Sequence, residues 1–187
     1  MHRVYELIFE RYRTIKSGGN VDKSIEHIIN QAILEVADEM RAKDSAGEFF
    51  EFLYPKMKDY FTRVIGPIMD EADQVYPEYT FSFYVEDIDK QAFIDRFETF
   101  FKDTGEEISF KNEPVWVNGQ ADLVVKRKDG SIKVYDFKSD AMNGKPLAEF
   151  EADLNKKYAG QLELYKYAVG KAFGVDDVQT ELIHLYR

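Results

Sequence analysis

The chain has 187 residues, 44% hydrophobic and 15% aromatic, enough for one well-cored domain or two small ones. A 32% charged fraction accompanied by abundant Phe, Tyr and Ile excludes wholesale disorder, and 0 Cys excludes disulfides, thiolate zinc sites, iron–sulfur clusters and cysteine nucleophiles. No apolar run approaches the roughly 18 residues of a membrane helix, and charges interrupt the first residues before a secretory core can form, so a cytoplasmic globular protein is expected.

The formal charge of −10 argues against a general polyanion binder, but it is unevenly spread. Residues 1–110 hold 13 Lys+Arg against 23 Asp+Glu, whereas residues 111–187 hold 12 of each. Nucleic acid binding by the second part, where Lys126, Arg127, Lys128, Lys133, Lys138, Lys145, Lys156 and Lys157 lie, therefore stays open.

In chain order, Arg3 to Thr14 reads as a helical lead-in, dangling ahead of the fold. After the breaker Ser17-Gly18-Gly19-Asn20, the spacing of Ile25, Ile28, Ile29, Ala32, Ile33 and Val36 predicts a helix over about 22–41, capped by Asp22 or Ser24. Phe49, Phe50, Leu53, Met57, Tyr60, Phe61, Val64 and Ile65 predict a second helix that ends before Gly66-Pro67. Val75 to Val85 alternates as a strand, and Ile88 to Phe101 returns to helical spacing with an apolar edge of Phe93, Phe97, Phe100 and Phe101. Then come short strand-like runs at Pro114 to Val117, Ala121 to Val125 and Ile132 to Phe137. Lys128-Asp129-Gly130-Ser131 is a hairpin turn by composition, since Asp-Gly supplies the positive φ of a tight turn. A helix over Ala148 to Val169 and a closing strand over Val178 to Tyr186 follow. A helix, three meandering strands, a helix and a strand make an α/β layered fold.

The chemistry is expected in the second part. Asp122 precedes the apolar run Leu123-Val124-Val125, and Asp136 lies in Val134-Tyr135-Asp136-Phe137-Lys138 fourteen residues on. If those strands pair about the Asp-Gly turn, the two carboxylates fall on adjacent strands. Two close carboxylates repel unless a cation sits between them, and an all-oxygen site suits Mg²⁺ or Mn²⁺. Alternation puts Asp136 and Lys138 on one face and turns Phe137 into the core. Asp and Lys two apart on a strand are commonly a surface ion pair worth under ~1 kcal/mol. Here the apolar flanks bring both carboxylates to the ends of buried strands, where charges need partners or a metal.

Gly119-Gln120-Ala121-Asp122-Leu123, then Asp136-Phe137-Lys138, then Gln161-Leu162-Glu163-Leu164-Tyr165 on a following helix resembles the PD-(D/E)XK nuclease superfamily, most closely its RecB/AddA-like branch, which ends helicase–nuclease subunits. The similarity covers about 111–187 and is weaker over 20–40. It implies a restriction-endonuclease-like αβββαβ core, a mixed central sheet flanked by helices, with a helical N-terminal insertion. The whole chain would be one nuclease domain: 1–20 the lead-in, 21–110 the first helix and the insertion, 111–187 the catalytic core. The resemblance makes Asp122, Asp136 and the Phe137 carbonyl the metal ligands and Lys138 the residue that orients the attacking water. It lines the DNA groove with Gln161 and Tyr165, and it asks for an acid on the preceding strand, with Glu113 the candidate and Glu78 the reserve. It also suggests His27 as a ligand, although Lys23 stands where the family has glycine. On a helical wheel His27 lies opposite the apolar stripe, which leaves a solvent-facing histidine or one aimed at the site.

The implied activity is Mg²⁺- or Mn²⁺-dependent hydrolysis of DNA, exonucleolytic, leaving a 5′-phosphate, within an ATP-dependent helicase–nuclease of double-strand break repair or recombination. This chain has no Gly-x-x-x-x-Gly-Lys-Ser/Thr loop, so the ATP-driven motor would be a partner. The rivals are a non-catalytic DNA-binding or protein-interaction domain on the same fold, and an unrelated α/β protein whose acidic half binds a partner.

Overall fold

A computed structural model describes residues 2–16, 25–39, 46–103 and 115–184 of the chain. It divides into two compact units, Met1–Pro77 with Val125–Gly130, and Glu78–Val124 with Ser131–Arg187. Among the described residues no helix is long and apolar enough to cross a membrane.

In the first unit, helix α1 (His2–Lys16), α2 (Ile25–Glu39) and α3 (Ala46–Tyr60) pack in sequence. The expected dangling lead-in is instead core: Val4, Tyr5, Leu7, Ile8 and Phe9 of α1 are buried, and the Tyr5 ring lies 4.5 Å from that of Tyr60. Five apolar side chains in six positions are too many to leave in water, at roughly 1.5–3 kcal/mol for each large one buried. On α2, Ile28, Ile29, Ala32, Ile33, Val36 and Ala37 are buried while His27 is half-buried, as the apolar periodicity requires. The proposed caps Asp22 and Ser24 lie outside the described residues.

The helix expected to stop before Gly66-Pro67 does not. It passes through a π-turn (Phe61–Ile65), where the Gly66 N–H donates to the Phe61 carbonyl, into α4 (Gly66–Glu71). Pro67 falls in the first turn of α4, where a missing N–H costs nothing.

A four-stranded sheet runs in the order β1 (Ala72–Val85), β2 (Val115–Arg127), β3 (Ile132–Lys138), β4 (Val178–His184). Contacts between Tyr84 and Trp116, Ser82 and Asn118, and Phe81 and Gly119 step in opposite directions, so β1 and β2 are antiparallel. The β2–β3 turn is the expected one: Gly130 has φ 88 and its N–H reaches the Arg127 carbonyl at 2.9 Å. A connection that short requires an antiparallel pair. β3 and β4 are parallel, with Asp136 opposite Leu182 and Lys138 opposite His184. The crossover between them is α6 (Leu147–Phe173), which packs on β3, β4 and α5 (Asp87–Asp103). This is a mixed sheet flanked by helices, the α/β architecture expected from the sequence.

The runs expected as two strands, 114–117 and 121–125, are one, and the long β1 supplies the third strand of the meander. Asn118-Gly119, between the two expected runs, lies inside β2. A Cβ on Gly119 would sit 2.3 Å from the Phe81 ring, so glycine serves here to let an aromatic ring cross the strand. The second unit's core gathers Val85, Phe93 and Phe97 with Phe83, Val117, Leu164 and Tyr167.

Candidate active site

Strand β3 brings Asp136 and Lys138 to the same face, two residues apart, and α6 lies over that face. Asp136 is 1% exposed, and its Oδ2 lies 2.7 Å from the Lys138 Nζ. That contact is an ion pair, and neither carboxylate oxygen has a hydrogen-bond partner among the described residues. Burial pushes the Asp136 carboxyl up to about 6; the Lys138 ammonium pulls it down, and neighbouring Asp122 raises it again. On β2, Asp122 accepts a hydrogen bond from the Phe137 N–H at 2.7 Å, so one carboxylate is oriented by the backbone next to the other.

Lys138 is held on three sides. Besides Asp136, it donates to Gln161 Oε1 at 3.1 Å and lies over the Tyr158 ring at 4.1 Å. Gln161 Nε2 donates to the Tyr165 hydroxyl at 2.6 Å, and that hydroxyl donates to the Gln120 carbonyl at 2.8 Å. Gln161 and Tyr165 are one helical turn apart, so α6 offers both to the same line of hydrogen bonds, from Lys138 to the backbone of β2. Burial, then the charges of Asp136, Asp122 and Glu78, pushes the Tyr165 phenol well above its ordinary value and keeps it a donor. Phe81 packs edge-on against Tyr165 with ring centroids 6.0 Å apart. Gly119 therefore supports the site through Phe81.

Asp140 escaped the sequence reading. Just past β3, it accepts from Lys157 at 2.7 Å and from the Tyr158 hydroxyl at 2.9 Å, and its carboxyl is held below the usual range chiefly by Lys157. Its carbonyl lies 2.5 Å from His184 Nε2. His184 is buried, beside Lys138 in the parallel register of β3 and β4 and edge-on to the Phe150 ring. Lys157, considered for phosphate contact, is engaged by Asp140, and Lys145 pairs with Asp153. The only advance sign of Asp140 was its place two residues beyond Lys138.

The fold thus assembles Asp122, Asp136, Phe137, Lys138, Gln161 and Tyr165 within the second unit. His27 lies on α2 of the first unit, and Glu113 lies outside the described residues. The reserve acid Glu78 stands on β1 at φ 48, is bonded by Gln120, and is close enough for Tyr165 to feel its charge. That left-handed backbone, costly for a glutamate, could not be read from sequence. Among the described residues no three His, Asp or Glu side chains cluster as a metal centre. The carboxylate pair with its orphaned, buried oxygen nevertheless suits a hard divalent cation, an all-oxygen guest that would relieve the repulsion.

Compared with known families, residues 1–185 match the PD-(D/E)XK nuclease superfamily. No curated protein matches the chain significantly.

Proposed function

The chain belongs to the PD-(D/E)XK nuclease superfamily, and from that premise we propose a metal-dependent deoxyribonuclease with Asp122, Asp136 and Lys138 at its reaction centre. The observation that carries this reading is the Asp136 carboxylate, 1% exposed, beside a second carboxylate, with an oxygen left without a hydrogen bond. Burying an anion that way costs several kcal/mol, which the Lys138 ammonium and a raised carboxyl value offset in part and a divalent cation between the two carboxylates would offset further.

Asp122, Asp136 and the Phe137 carbonyl would hold Mg²⁺ or Mn²⁺. When bound, the ion supplies Lewis-acid chemistry, lowering the pKa of water and neutralising charge on the phosphodiester. Lys138 is ion-paired with Asp136 and donates a hydrogen bond to Gln161. Its remaining N–H donors are directed to the attacking water or to a phosphate oxygen as negative charge builds there. Gln161 and Tyr165 keep the ammonium from swinging away, and their place on α6 suits them to line the groove that receives DNA.

The RecB-like order of the three motifs supports a narrower reading: an exonuclease module in the cytoplasm, served by an ATP-driven helicase, acting in recombination or double-strand break repair. Incubation with linear and circular, single- and double-stranded DNA in Mg²⁺, Mn²⁺ or EDTA, beside Lys138→Ala, tests both levels. Cleavage that needs metal and falls about 10²–10³-fold in the variant supports the nuclease. Cutting of linear but not circular DNA supports the exonuclease. Cleavage unaffected by Lys138→Ala would sink the assignment of the site.

A further inference from the structure

Side chains alternate along a strand, so Trp116, Asn118 and Gln120 share one face of β2 with Asp122. Trp116 is 65% exposed, the highest value among the exposed large hydrophobic side chains described. An indole in water is costly unless something covers it in use. On the adjacent strand the half-buried Tyr84 tilts against it, ring centroids 5.4 Å apart. The next rung is a 2.7 Å hydrogen bond from Ser82 to Asn118, and beyond it Gln120 holds Glu78. Thr80, Ser82, Asn118 and Gln120 are all exposed, and none is charged, in a chain with 35 acidic residues.

This strip leads from an aromatic pair through uncharged rungs to the carboxylate of Asp122, with Glu78 of β1 alongside it, held by Gln120. Its aromatic end has the chemistry of a single-strand platform, in which bases of any sequence stack on exposed aromatic faces. A duplex hides its base faces in its own stack and cannot use such a surface; an apolar protein partner would not match the polar rungs. We infer that Trp116 and Tyr84 form a stacking subsite for unpaired bases of the DNA strand whose backbone reaches Asp122 and Asp136. The inference rests on the nuclease reading and deepens it by naming the form of DNA held near the reaction centre. Six residues of strand span about 20 Å, a distance a stacked strand covers in about six nucleotides.

Trp116 is the 1 Trp in the chain, so its fluorescence reports the subsite directly. The protein is titrated in EDTA with oligothymidylates of 4 to 20 nucleotides and with a blunt duplex, and cleavage is measured in Mg²⁺ beside Trp116→Ala and Trp116→Phe. The expected result is quenching by single strands beyond about six nucleotides and none by the duplex. In cleavage, Trp116→Ala should raise KM for the longer strands by about five- to 150-fold. That loss should fall on KM rather than kcat, be absent for the shortest strands, and be largely rescued in Trp116→Phe. Equal quenching by duplex, no quenching at all, or a KM effect that ignores strand length would overturn it. The EDTA titration stands without catalysis. Quenching with no cleavage would therefore fault the nuclease reading alone, and cleavage with no quenching the subsite alone.

Discussion

The Lys138 ammonium lies 4.1 Å from the centre of the Tyr158 ring, and the Tyr158 hydroxyl is in turn fixed by Asp140 at 2.9 Å. A flexible four-carbon side chain, only 14% exposed, is thereby pinned between a carboxylate, an amide oxygen and an aromatic face. Tyr158→Leu removes the face and should lower kcat about 2- to 30-fold, the range of a partly desolvated cation–π contact. Tyr158→Phe keeps the ring and loses only its tether, so it should retain most of the activity. Steady-state kinetics with a melting curve for each variant separates this from unfolding; equal losses in both variants would contradict it.

Gly119 is the site's hidden support. A methyl there meets Phe81, and Phe81 packs on Tyr165. Gly119→Ala should destabilise the protein by about 1–3 kcal/mol through overpacking, and cleavage should fall with it. Adding Phe81→Leu makes room, so the double variant should be more stable than Gly119→Ala alone. Denaturant unfolding of the three proteins measures this, and additive losses would refute the contact.

Asp136 sets a pH dependence whose sign follows from its raised carboxyl. Its ordinary value is 3.8 and its folded value about 6, so the folded protein carries the proton to higher pH than the unfolded chain. Its contribution to stability is full below the unfolded value and is lost as pH rises through about 6. Asp136→Asn should therefore leave the metal-free protein unchanged at pH 3.5 and more stable than wild type, by about 1–3 kcal/mol, at pH 8. Cleavage should be abolished. Adding Mg²⁺ should raise the melting temperature of wild type at pH 8 but not that of the variant. A variant less stable at pH 8 would show that the carboxylate is structural rather than held in reserve for a cation.

Tyr165→Phe removes the donor to the Gln120 carbonyl and the acceptor for Gln161. Each buried group left unpaired costs about 1–3 kcal/mol, and Gln161 is freed to turn from Lys138. The expected outcome is a lower melting temperature together with a kcat loss exceeding that of Tyr158→Phe. Unchanged kcat would mean that Gln161 needs no help in holding the lysine.

Much of this was legible in the sequence because it is local. The helical spacing of the α2 isoleucines, the Asp-Gly turn, and the Asp-x-Lys and Gln-x-x-x-Tyr spacings are periodicities of a few residues, and they hold in three dimensions. The errors occurred where a distant residue decided. β2 looked like two runs because nothing nearby in sequence announces that Phe81 packs across Gly119, and α1 looked loose because the helices that cover its apolar residues come later in the chain.

The residue types and spacings by themselves determined an α/β fold, a carboxylate pair with a lysine, and a helix with an amide and a phenol one turn apart, since strand and helix periods dictate which side chains share a face. Only the tertiary structure decided that Asp136 is buried with an oxygen unpartnered, that Tyr158 and Asp140 cradle Lys138, and that Trp116 stands exposed on the strand leading to Asp122. Burial and charge neighbours arise from packing between segments far apart in the chain, and no local period encodes them.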